Sequence, residues 1–353
     1  MVPRPWAYCK YYQLTRSASV TTTNWPVDSG KSRPQGLPRT PGRSPRRAIV
    51  GGVDQWWTAH AEPDGLILRD RVLSSGVDPD QLVTALRTGR LFRVQRGVYG
   101  ARASRPGPLA RARAAALSSG VSDAVVSHHT AARVHGLSVP TRPAAEHVTV
   151  RRDQRRIRRR DLHFHGRTLA LGDVQVHGGV ALTSVARTVF DLCAYLPRLE
   201  AVWCADDALR RGLVTAVDLT LAGRRRLGGR GDALAAIRIA AADGLAESIL
   251  ETAGRLFLAD GGLPLPVAQL EVRDACGQLI ARLDGGYPEL KLAIEFDGRS
   301  VHSAPEAVFR DRRRQNALES AGWRVLRFTW WDVVHDTPPF VATVRAALLR
   351  ASA

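Results

Sequence analysis

Apolar and polar positions follow different rhythms in different parts of this chain. From Gly65 to Leu73 the apolar residues group as in a short helix. Asp78 followed by Pro79 reads as the capped start of a second helix, which turns Leu82, Val83 and Leu86 inward and stops near Gly89. The next run, Arg90-Leu-Phe-Arg-Val-Gln-Arg-Gly-Val-Tyr99, alternates and bends at Gly97, which predicts a hairpin. Helix, turn, helix and basic hairpin over residues 59–101 is the order of a winged helix-turn-helix. Such a module sets a helix in the major groove and wing cations on the backbone, so Arg87, Arg90, Arg93 and Arg96 are candidate DNA contacts. A structural cap with solvated arginines fits the same pattern.

Residues 102–243 read as a small α/β region. Arg111–Leu117 and Ser127–Gly136 have helical patterns, and Glu146–Val150 and Leu162–His165 have strand patterns on either side of an arginine-rich loop at 151–160. Thr183-Ser184 caps a helix whose Val185, Val189, Phe190 and Cys193 share a face, and further helices follow. His163 and His165 alternate onto one strand face, but the sequence offers no third ligand nearby to complete a metal site. The arginine loop is a candidate nucleic-acid contact, with a solvated charged loop as the alternative.

From residue 244 onward the pattern gives helix, three strands, helix, strand, helix: an amphipathic helix over Leu245–Ala259, strands over Val267–Val272, Leu279–Asp284 and Leu290–Phe296, a helix over Pro305–Ala321, a strand over Trp323–Phe328 and a last helix to about Arg350. In the third strand Lys291, Ala293, Glu295 and Asp297 share one face, while Leu292, Ile294 and Phe296 share the other and should meet the core. Acids on otherwise apolar strands are costly unless paired or metal-bound. Converging carboxylates such as Asp284 and Glu295 suit a hard cation, Mg²⁺ or Mn²⁺, that activates water for phosphodiester cleavage.

Composition narrows the classes. The 353 residues carry 51 Lys+Arg against 33 Asp+Glu, a net charge of +18, which asks for a polyanionic partner. Only Lys10, Lys31 and Lys291 are lysines, so part of the excess reflects a coding bias toward arginine. The first fifty residues hold seven prolines and one acid, Asp28, and residues 1–58 read as a disordered basic tail or a start codon assigned too far upstream. No run reaches the ~18 apolar residues of a membrane helix and no compact leader is visible, which predicts a cytoplasmic protein. Cys9, Cys193, Cys204 and Cys276 form no CxxC pair, arguing against a zinc or disulfide framework.

Several motifs resemble known families. Asp284-x10-Glu295-x-Asp297-Gly298, His302, Phe309-Arg-Asp-Arg-Arg-Arg-Gln-Asn-Ala-Leu318 and Gly322-Trp-Arg-Val-Leu-Arg-Phe-Thr329, with Glu247-Ser-Ile-Leu-Glu251 and Arg255 upstream, resemble bacterial domains related to very-short-patch-repair (Vsr) endonucleases. These look like a branch of the PD-(D/E)XK nuclease superfamily, with its restriction-endonuclease-like αβββαβ core, over roughly residues 244–353. The resemblance implies Asp284, Glu295 and Glu251 as metal ligands and Asp284, Glu295, Asp297 and His302 as the catalytic set. Asp297 stands where the superfamily carries lysine; it could serve as a further ligand, with His302 as the proton-transfer group and Lys291 as a secondary source of the missing cation. Arg312, Arg313 and Arg314 are candidate phosphate contacts, and part of their cluster pairs with Asp311. Gly89–Tyr99, Ser127-His-His-Thr-Ala-Ala131 and Thr183-Ser-Val-Ala-Arg-Thr-Val-Phe-Asp191 resemble AbiEi-type antitoxins, DNA-binding autorepressors built from a winged helix and an α/β domain.

The expectation is an α/β protein with a PD-(D/E)XK core behind a winged helix-turn-helix and a small α/β middle domain. Its function is metal-dependent DNA endonuclease; the alternative is a DNA-binding regulator or antitoxin-like protein whose nuclease core is degenerate. DNA is the expected partner, and a homodimer or a toxin-like protein partner stays open.

Overall fold

A computed structural model describes residues 56–103, 105–154, 159–226, 229, 231–274, 276–298 and 305–351. Helix α1 (Trp56–Ala59) leads to β1 (Leu66–Leu68), α2 (Arg69–Ser74), α3 (Pro79–Arg87), β2 (Leu91–Gln95) and β3 (Val98–Ala101), and the strands form a sheet in the order β1-β3-β2. Two expectations need correction here. The tail predicted to end at residue 58 overlaps α1, because Trp57 is buried against Ile67, Val72, Leu82, Leu91 and Tyr99; residues 1–55 lie outside the described residues. The helix predicted over Gly65–Leu73 begins as a strand. Leu66, Ile67 and Leu68 pair with Gly100, Tyr99 and Val98, and alternation sends Leu66 toward Ala110 and Ala114 while Ile67 joins the Trp57 core. Asp78 caps α3 as its position predicts, its carboxylate accepting from the Asp80 amide at 2.9 Å.

The middle region runs α4 (Pro108–Ser118), β4 (Val125–Val126), α5 (His128–His135), β5 (Glu146–Val150), β6 (Leu162–Gly166), β7 (Val174–His177) and β8 (Val180–Thr183), then α6 (Val185–Tyr195), α7 (Arg198–Arg210), α8 (Ala216–Arg225) and α9 (Asp232–Ala240). Its five strands order as β6-β5-β4-β8-β7. Val189, Phe190 and Cys193 of α6 pack against Cys204, Ala205 and Ala208 of α7 and against Leu219 of α8. Cys193 and Cys204 are buried in that core and Cys276 is exposed; burial pushes the Cys193 thiol up to about 12, as expected of an inert packing residue.

The C-terminal region runs α10 (Ile249–Asp260), β9 (Val267–Arg273), β10 (Leu279–Tyr287), β11 (Leu292–Asp297), α11 (Pro305–Ser320), β12 (Arg324–Thr329), a π-helical turn at Trp331–His335 and α12 (Thr337–Ala351). The sheet order is β12-β11-β10-β9; β11 pairs parallel with β12 and β10 pairs antiparallel with both β9 and β11. One face carries Leu292 and Ile294 against Leu250, Leu256 and Phe340; the other carries Leu283 and Ala293 against Leu318 of α11. Helix α10 lies so close to the sheet that a Cβ at Gly254 would meet the Phe296 ring at 2.1 Å, so only glycine permits this approach. Asp206 of α7 joins the middle and C-terminal regions. Its buried carboxylate accepts from the Asp243 and Gly244 amides at 2.8 and 3.0 Å, from Thr252 Oγ1 at 2.8 Å and from Arg255 at 2.7 Å.

Candidate active site in the C-terminal sheet

The predicted acids lie on three elements of this region. Asp284 lies on β10, Glu295 on the neighbouring β11, and Glu251 in the first turn of α10, three residues before the close contact at Gly254. Burial pushes all three carboxyls above their ordinary values, and their negative neighbours add to the shift: Asp284 acts on Glu251, Asp297 and Glu247 on Asp284, and Asp284 and Asp297 on Glu295. Asp297 at the end of β11 is exposed yet close enough to act on both strand acids.

Each acid is differently engaged. Glu251 accepts from the Glu247 amide, Ser248 Oγ and Gln269 Nε2 at 2.8, 2.7 and 2.8 Å, so it also closes the start of its helix. Asp284 Oδ2 accepts from the Phe296 amide at 2.8 Å, and Oδ1 has no hydrogen-bond partner among the described residues. Glu295 is 5% exposed and pairs with Arg314 of α11 and with Arg327, its in-register neighbour on β12, at 3.4 Å. The donor set is all carboxylate and carries more acids than cations, which fits a hard divalent ion. Glu251, Asp284 and Glu295 do not bring three ligand atoms within 4.8 Å of one another, whereas three histidines elsewhere do.

The other candidates divide. Lys291 adopts a left-handed turn with φ 44° before β11, and its amine donates to the Ala321 carbonyl at 3.0 Å. The amine is thereby engaged at the turn that precedes β11. Arg314 faces Glu295 and the Arg282 carbonyl, while Arg312 and Arg313 are exposed on α11. His302 and arginines 155, 156 and 158 lie outside the described residues. Arg87, Arg90, Arg93 and Arg96 are all exposed, with Arg90 stacked 6.0 Å from the Trp57 ring centroid. Arg93 and Arg96 join Arg69 and Arg159 in lining a groove of about 640 Å³.

Two site residues escaped sequence reasoning. Gln269 has φ 52° inside β9, an uncommon conformation for a non-glycine residue, and holds Glu251. Arg327 was legible only as part of a strand; the parallel register that sets it beside Glu295 is a tertiary fact.

A restriction-endonuclease-like family, REase_MTES_1575, matches residues 279–348, which span β10 through most of α12. Two proteins of Mycobacterium tuberculosis, the uncharacterized protein MT2308 of strain CDC 1551 / Oshkosh and the uncharacterized protein Rv2248 of strain H37Rv, are each 30% identical to this chain over 274 residues, covering 77% of the chain and 97% of the relative.

Proposed function

Since this chain belongs to the family of the two mycobacterial proteins and carries a restriction-endonuclease-like domain, we propose that it is a divalent-metal-dependent DNA endonuclease. The observation that carries the reading is the group of repelling acids within and beside the matched segment, the half-buried Glu251 and Asp284 and the buried Glu295. In this reading residues 244–353 form a Vsr-like PD-(D/E)XK domain, and Asp284 and Glu295 hold Mg²⁺ or Mn²⁺, with Glu251 and Asp297 completing the acidic shell. The cation supplies a Lewis acid for the phosphate and lowers the pKa of water beside it. Arg314 and Arg327 restrain Glu295 and offset part of the acid charge as the phosphate approaches. His302 takes the proton-transfer role.

Delivery to DNA falls to residues 59–101, read as a winged helix, and to the AbiEi-like region 102–243. The β1-β3-β2 sheet after α3 and the exposed Arg87, Arg90, Arg93 and Arg96 support this reading, as does the arginine-lined groove beside the wing. Exposed Arg312 and Arg313 extend the basic surface near the acids.

One observation favours the second reading, a DNA-binding regulator with a degenerate core: Glu295 already has two arginine partners and Glu251 is engaged as a helix cap. Supercoiled-plasmid nicking in Mg²⁺ and in Mn²⁺ separates the two. The endonuclease reading expects nicking by the wild type and its loss in Glu295→Ala. Equal nicking by both proteins, or none by either while DNA affinity persists, rejects it, and the second of these outcomes supports the regulator.

A further inference from the structure

Five histidines collect on the middle sheet, well away in sequence from the acids. His128 opens α5, His129 follows it, His147 lies on β5, and His163 and His165 lie on the adjoining β6. The parallel register pairs His147 with His163 and Thr149 with His165, so the three imidazoles fall on one side of the two strands. His147 Nδ1 and His165 Nε2 are 2.9 Å apart. The His128 ring stacks on that of His165 with centroids 3.5 Å apart, and the His163 ring is 4.6 Å from that of His165. Ligand nitrogens of His128, His147 and His165 all lie within 4.8 Å of one another.

We propose that His128, His147 and His165 bind a divalent transition metal of the Zn²⁺ class, with His163 at the exposed edge as a further ligand or as the route of entry. Four observations favour this over simple packing. Imidazole nitrogen suits Zn²⁺, Cu²⁺ or Ni²⁺ and not Mg²⁺ or Ca²⁺, so the donor set differs in kind from that of the carboxylates. Both ring nitrogens of His129, which is 6% exposed and 5.0 Å from the His147 ring, have no hydrogen-bond partner, an unusual state for a buried polar group. His128 has φ 49° as the first residue of its helix, a strained backbone of the kind that gathers at functional sites. Ser127 Oγ, held by Thr149 Oγ1 at 2.8 Å, lies 3.0 Å from His128 Nδ1 and orients that ring, as outer partners of metal-bound imidazoles do.

The test uses the full chain, stripped of metal by chelation, in an Asp284→Asn background so that the acids do not compete. Zn²⁺ affinity is measured by competition with a chromophoric chelator, and the Zn²⁺-loaded protein is examined by X-ray absorption. The proposal expects one Zn²⁺ per chain, imidazole scattering around the ion, and affinity lowered at least about tenfold by His147→Gln and by His165→Gln, in line with the cost of disturbing a metal shell. His163→Gln, at an exposed position, provides a variant that keeps the fold if the buried substitutions do not. Oxygen-only coordination, absence of binding by the folded protein, or unchanged affinity in folded His147→Gln and His165→Gln would overturn it.

Discussion

The middle and C-terminal regions both pair arginines with buried acids, yet the two networks balance differently. In the middle region Arg187 is fully buried between Asp173, at 2.6 Å, and Asp191, at 3.1 Å; Arg225 and Arg226 take the remaining oxygens and Arg226 also meets Asp232. Three acids there meet three arginines. In the C-terminal region Glu251, Asp284, Glu295 and Asp297 act on one another, and among the described residues Arg314 and Arg327 answer them. A matched buried network holds the fold together, because removing either partner strands a charge. An acid surplus works against the fold, and shifted carboxyls of this kind cluster at functional sites.

The largest expected effect breaks the matched network. Arg187→Ala leaves Asp173 and Asp191 short of a cation and should cost about 3–5 kcal/mol in urea denaturation, the usual penalty for halving a buried ion pair. Asp284→Asn removes a repelled acid and should leave stability within about 1 kcal/mol of wild type, or raise it, because active-site strain is commonly relieved by such changes. A loss of several kcal/mol in Asp284→Asn would mean that the acids are structural after all.

The sequence made some of this contrast legible and hid the rest. Asp284 and Glu295 stand out because an acid is conspicuous in an apolar strand, and the period of two assigns Glu295 a face. The strands over 267–273, 279–287 and 292–297 form close to where alternation predicts them. Arg187 gave no signal, since an arginine in a helix with Asp191 four residues on reads as an exposed pair, whereas Asp173 comes from a separate segment. The histidine group was half legible: alternation joins His163 to His165, but β4 has only two residues, and without it the sheet that brings β5 and β6 beside His128 cannot be drawn. Trp57 was lost in a basic, proline-rich context, although it anchors the first core.

Opposite pKa shifts give the histidine group and the C-terminal acids opposite responses to pH. Glu251, Asp284 and Glu295 are raised above ordinary values of 4.5, 3.8 and 4.5, so the folded state holds their protons more tightly. Their contribution to stability is fully present below those values and is lost as pH rises through the folded pKa values. His129 and His147 are lowered from 6.5 to about 4 and about 3, chiefly by burial, so their contribution is present above 6.5 and is lost as pH falls toward the lower values. Denaturation midpoints between pH 7 and 4 should therefore fall less steeply in His147→Gln than in wild type, and more steeply in Asp284→Asn. Parallel profiles for all three proteins would remove the contrast.

The smallest effect separates solvated cations from structural ones at the wing. Arg93 is exposed beside the basic groove and makes no ion pair among the described residues, whereas Arg90 lies over the Trp57 ring. Arg90→Ala should therefore cost up to about 1 kcal/mol of stability, the usual worth of an exposed cation–π contact. Arg93→Ala should change stability by no more than about 0.5 kcal/mol, as at most surface positions. If Arg93 neutralises a phosphate, its loss reduces the slope of log affinity against log salt by about 1 across unrelated DNA sequences. Fluorescence anisotropy at several salt concentrations reads that slope. An unchanged slope in Arg93→Ala would make its charge part of the chain's arginine bias, and would move the DNA contact to the exposed arginines of α11.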